Sequence, residues 1–149
     1  MSLHTCVQVN IRDFLLRLPL RNAIINEEVK AVLKALWHRF REQYIVNQVQ
    51  QFEIPDFPPD RVCRYRVVFS GRVQGVGFRF ETWQLAGRLG ICGYCENLSS
   101  GDVLAEFQGE ENRILFLISA LESVRRFVIA HKALEEIPVQ ENASGFDCR

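Results

Sequence analysis

A β-branched, apolar run, Tyr65-Arg66-Val67-Val68-Phe69, leads into Gly71-Arg72-Val73-Gln74-Gly75-Val76-Gly77-Phe78-Arg79, and a helical pattern begins near Phe80. Strand, glycine-punctuated loop and helix start constrain this chain more than any other feature, because that layout gathers backbone N–H groups around an anion. Glycine permits positive φ and close approach to a ligand, and the first N–H groups of a helix lack internal partners. Arg79 falls at the loop–helix junction, where a planar guanidinium can clamp two phosphate oxygens. The plainer reading of the same residues is a tight strand–helix turn with a surface arginine.

Two well-known phosphate loops do not fit. A P-loop needs Gly-x-x-x-x-Gly-Lys-Ser/Thr, and no Lys-Ser or Lys-Thr follows these glycines. The dinucleotide fingerprint needs Gly-x-Gly-x-x-Gly, whereas the spacing here is Gly71-x-x-x-Gly75-x-Gly77.

Around the loop the periodicities alternate. Arg64 to Ser70 reads as a strand, and Phe80 to Leu89 as a helix with Trp83, Leu85, Ala86 and Leu89 inward and Gly90 as its stop. Ile91–Leu98 and Val103–Gln108 form a hairpin across Ser99-Ser100-Gly101-Asp102. Glu110–Val124 is a second helix, Phe127–Leu134 a further strand, and Phe146–Arg149 a short closing one. This β-α-β-β-α-β order predicts an α+β fold, the ferredoxin-like antiparallel sheet with both helices on one face. Strand alternation puts Arg64, Arg66, Glu106 and Lys132 on the open face.

Residues 1–54 read as a helical extension. Asn10 can cap a short helix through Leu18, and Asn26 a longer one with Glu27 and Glu28 in its first turn. Val29, Val32, Leu33, Leu36, Trp37, Phe40 and Tyr44 share one face. Residues 55–60, Pro-Asp-Phe-Pro-Pro-Asp, form a proline-dense linker before a domain at 61–149. The open sheet face is too charged to bury the apolar stripe, so the extension is expected to form a hairpin that self-associates into a homodimer. Burial over a sheet edge or the domain's own helices is the alternative.

Eighteen basic and eighteen acidic residues cancel, which gives no net-charge case for nucleic acid or an anionic membrane. No apolar run approaches the ~20 residues of a membrane span. The N-terminus lacks a signal-peptide pattern, and an odd count of five cysteines reads as reduced thiols in the cytoplasm. Cys92 and Cys95 are three apart on a strand and point to opposite faces, which disfavours a metal or redox pair.

The loop resembles the acylphosphatase signature, Gly-x-Val-Gln-Gly-Val-x-Phe-Arg, at every fixed position from Gly71 to Arg79. Gly93-Tyr94-Cys95-Glu96-Asn97 and Gly101-Asp102-Val103 are similar to that family's second signature, and the likeness runs from about Cys63 to Arg149. The resemblance implies the same ferredoxin-like fold and hydrolysis of small acyl phosphates. It also implies that Arg79 binds phosphate, that Asn97 positions the attacking water, and that no metal, cofactor or phosphoenzyme is involved. Backbone N–H groups from Val73, Gln74, Gly75, Val76, Gly77, Phe78 and Arg79 would form the anion cradle. Glu96 departs from the basic residue the family often has there; on a strand its side chain should face away from Asn97. Acylphosphatase-like domains also occur as modules of larger proteins, so a phosphate- or partner-binding module with little turnover is the rival expectation.

Overall fold

The computed structural model describes residues 27–149. The short helix expected at Asn10–Leu18 and the Asn26 cap lie outside the described residues. The chain divides into two units, one ending at Leu36 and one running from Trp37 to Arg149.

The elements are α1 (Glu27–Gln51), β1 (Val62–Arg72), α2 (Phe78–Leu89), β2 (Cys92–Asn97), β3 (Val103–Glu110), α3 (Glu111–Ser123), β4 (Val128–Ile137) and β5 (Phe146–Cys148). The β-α-β-β-α-β order is as the periodicity predicts. The sheet runs β4-β1-β3-β2-β5. In β1, Cys63, Tyr65, Val67 and Phe69 point into the core, and its antiparallel neighbours place Ala105 and Leu134 beside Val67. Leu85, Ala86 and Leu89 of α2 join Ile114, Leu117 and Leu121 of α3 in that core. Burial of each such Leu, Ile or Phe side chain contributes roughly 1.5–3 kcal/mol. β5 pairs with β2 in parallel, Cys95 beside Cys148, so the sheet is mixed where the pattern alone implied an antiparallel one.

Two inward and outward assignments change. Trp83 is exposed, and Glu81 and Thr82 take the inner face of α2 instead. The buried stripe there is Phe78, Glu81/Thr82, Leu85/Ala86 and Leu89, and each helical step turns the side chain by roughly 100°. Lys132 lies opposite Phe69 and bonds Glu122 of α3 at 2.5 Å, on the helix side of the sheet. A register shift at Ser70/Gly71 inserts a residue into β4 and flips the alternation beyond it. Arg64, Arg66 and Glu106 do share a face. Glu106 is buried there, and although burial opposes ionisation, the Arg66 and Arg64 hydrogen bonds hold its carboxyl below the usual range.

On α1 the face that buries is not the apolar stripe. Ile45 and Val49 enter the core, while Trp37, Phe40 and Tyr44 stay 50 %, 66 % and 52 % exposed. Arg88 of α2 donates to the carbonyls of Val49 and Phe52, satisfying acceptors that the end of α1 leaves open. The second half of α1 thus docks on the domain's own helices. The proline-dense segment is fastened as well. Phe57 meets Phe116 edge-on at 5.5 Å, and Asp60 Oδ2 accepts the Asn112 N–H at 3.0 Å, capping α3 from outside.

Candidate active site

β1 ends at Arg72, and its last residues cross close to β4. A Cβ on Gly71 would lie 2.1 Å from the Val128 carbonyl oxygen, so only glycine lets the strand pass. The chain then turns through residues 73–77. Val73 and Phe78 are buried and pin the two ends of the turn, Phe78 by packing its ring 5.0 Å from Phe69 and 4.9 Å from Phe127. Gly75 and Gly77 adopt left-handed φ of 73° and 85°, with Val76 between them at negative φ. Left-handed residues interleaved with ordinary ones curl successive N–H groups toward one side and shape an anion-sized concavity.

Gly77 is also the N-cap of α2, with no side-chain cap. The first helical bond runs from the Glu81 N–H to the Gly77 carbonyl at 3.0 Å, so the N–H groups of Phe78, Arg79 and Phe80 have no intrahelical acceptor. A Cβ on Gly75 would meet nothing within 4 Å, which leaves the turn open on that side.

Gln74 does not face this opening. Its Nε2 donates to the carbonyls of Leu98 and Asp102, each at 2.8 Å, and thereby ties the loop to the β2–β3 turn. Asn97 is the last residue of β2, exposed and opposite Val103. It shares a strand face with Cys95, whose thiol donates to the Arg79 carbonyl at 3.6 Å. Burial and the neighbouring Cys148 thiol push the Cys95 thiol far above its ordinary pKa, so it is inert packing. The Arg79 guanidinium donates to the backbone oxygen of Arg149, and the Arg149 N–H in turn donates to the Cys95 carbonyl at 2.8 Å. Loop, Arg79 and the β2 end are therefore linked through Gln74, Cys95 and Arg149.

A second set of side chains lies behind the loop, and the sequence pattern did not single it out. Arg126 Nη1 donates to the Val76 carbonyl at 3.1 Å, and its Nη2 pairs with Glu81. Glu81 is 0 % exposed; burial pushes its carboxyl up, against the pull of Arg126. Arg41 of α1 reaches the Gly75 carbonyl at 3.5 Å and His38 Nδ1 at 3.3 Å. The usable signal was Glu81, a charge at an inward position of a helix, which demands a buried partner. Nothing local in sequence names Arg126, 45 residues away, as that partner. Among the described residues, no side-chain carboxylate pairs with Arg41, Arg72 or Arg79. A chain without net charge thus has a locally positive loop.

The family model for acylphosphatase matches residues 65–148, more than half of the chain, and residues 1–64 lie outside it. An acylphosphatase of Clostridium beijerinckii is 36% identical over 89 residues, covering 59% of this chain and 99% of its own. The solved structure of an acylphosphatase from Coxiella burnetii is 35% identical with a TM-score of 0.55, covering 59% of this chain and 93% of that one. Full-length HypF, in a phosphate- and nucleotide-bound form, is similar over 63% of this chain but only 12% of its own, at 26% identity and a TM-score of 0.56. The chain belongs to the acylphosphatase family.

Proposed function

We propose that the chain hydrolyses small acyl phosphates to a carboxylate and inorganic phosphate, with Arg79 and the 73–79 loop holding the phosphoryl group and Asn97 orienting the water. The observation that carries this reading is the Gln74 bridge, which fixes the glycine turn against the hairpin that ends β2 at Asn97. Water oxygen attacks phosphorus, the bond to the bridging acyl oxygen breaks, and the carboxylate leaves with the bonding pair; the water proton passes to phosphate or solvent. A carboxylate with a pKa near ~4 departs without a general acid. What the protein supplies is charge stabilisation across the phosphoryl oxygens and alignment of the nucleophile. The guanidinium of Arg79 and the N–H groups at the start of α2 suit the first task, and a neutral amide on a firm strand suits the second. No metal is required for any step. The free thiols of Cys63, Cys92, Cys95 and Cys148 suit a reducing, cytoplasmic setting, which cell fractionation checks.

Steady-state hydrolysis of benzoyl phosphate in the presence of EDTA tests the proposal, with turnover unaffected by the chelator as the expected result. Activity lost to EDTA and restored by a divalent ion would contradict the metal-free route. The HypF likeness, in which a similar fold is a small part of a large chain, favours one second reading: a phosphate-binding module. Phosphate binding without turnover would select that reading.

A further inference from the structure

The α1 helix and the turn after α3 both send an arginine to the back of the loop, and they grip consecutive carbonyls. Arg126 holds Val76 at 3.1 Å, and Arg41 holds Gly75 at 3.5 Å. In a trans peptide the C=O of one residue and the N–H of the next point in opposite directions. Fixing the Val76 carbonyl outward therefore turns the Gly77 N–H inward, and fixing Gly75 does the same for Val76. We propose that Arg126 and Arg41 are positioning residues, which aim two successive N–H donors of the loop at the phosphoryl group. This rests on the loop being the phosphate site, as argued above.

Arg126 is built to stay in place. Its guanidinium lies over the rings of Tyr44, at 5.6 Å, and Phe127, at 5.2 Å, while its other nitrogen is fixed by Glu81. Glu81 sits two residues after Arg79 on the first turn of α2, so one buried carboxylate couples the loop to the helix start that carries Arg79. Such a pair is a poor device for stability. Glu81 Oε1 has no hydrogen-bond partner, and a buried ion pair with an unmet oxygen costs more than an apolar replacement of the same shape. Its use is geometric. The α1 helix, outside the family match, completes the support: Tyr44 covers Arg126, and Ile45 Cδ1 lies 2.5 Å from where a Cβ on Gly77 would stand.

Calorimetric titration with inorganic phosphate decides the matter, using the full chain and its Arg126→Ala, Arg126→Lys and Arg41→Ala variants, each checked for folding by its thermal melt. Phosphate Kd should rise about tenfold for Arg126→Ala and about threefold for Arg41→Ala, whose contact is longer. Arg126→Lys should fall between, because one ammonium cannot reproduce the planar fork that serves Val76 and Glu81 together. KM for benzoyl phosphate should rise in the same proportions. A folded Arg126→Ala that binds phosphate as tightly as the unmodified chain overturns the inference; if that variant does not fold, unchanged affinity in Arg126→Lys overturns it. An unmodified chain that binds no phosphate overturns the site reading as well, which separates the two failures.

Discussion

The two ends of β1 each have an arginine, and the fold treats them in opposite ways. Arg61, just before β1, meets Glu111 at 2.6 Å through Nε and Glu136 at 2.7 Å through Nη1, while Tyr65 donates to Glu111 at 2.5 Å. That cluster ties the start of β1 to α3 and to the far end of β4. The Arg61 hydrogen bond, then that of Tyr65, pulls the Glu111 carboxyl down to about 2. Arg79, beyond the other end of β1, has no side-chain carboxylate among the described residues and donates to a backbone oxygen. A guanidinium saturated by Glu side chains is a clasp; one without an Asp or Glu partner can exchange the acceptor it has, here an oxygen of Arg149, for a phosphoryl group.

If the loop end is the functional one, Arg79→Ala should cut kcat/KM for benzoyl phosphate by about 10³-fold or more and abolish phosphate inhibition, as loss of a phosphoryl-binding arginine does elsewhere. Near-normal turnover would show that Arg79 does not hold the phosphoryl group. Asn97→Ala should lower kcat by about 10²-fold while phosphate still inhibits, because a water-orienting amide acts mainly in the transition state. Loss of phosphate inhibition together with turnover would instead make Asn97 part of the anion cradle. Arg61→Ala should have the smallest kinetic effect, with kcat/KM within about twofold of normal and a lower melting temperature. It also has a pH signature. The folded pKa of Glu111, about 2, lies below its unfolded value near ~4.3, so the stability it contributes is present above that unfolded value and is lost as pH falls toward 2. Melting curves of the unmodified chain should therefore drop between about pH 4.5 and 2, and those of Arg61→Ala should be flatter there. Parallel curves for the two proteins would show that Arg61 is not the cause.

The same contrast shows what the sequence could disclose. Strand alternation in β1 and glycine spacing in the loop are local, so the element order and the loop from Val73 to Arg79 could be read directly. The faces of α1, the flip at Lys132 and the Arg126–Glu81 pair depend on neighbours distant in the chain. A stripe of large apolar residues names an amphipathic helix but not which side docks, and α1 buries Ile45 and Val49 because those residues meet Gly77 and α2. One inserted residue opposite Ser70/Gly71 reverses every later side chain of β4, and no local composition signals it. Glu111 and Arg61, fifty residues apart, illustrate the same limit at the other end of the sheet.

Phosphate binding to Arg79→Ala and Arg61→Ala, measured side by side by calorimetry on folded protein, separates the anion-binding arginine from the structural one. Binding should disappear in Arg79→Ala and persist in Arg61→Ala with an affinity close to that of the unmodified chain. Binding retained in Arg79→Ala, or lost in a folded Arg61→Ala, would contradict that assignment.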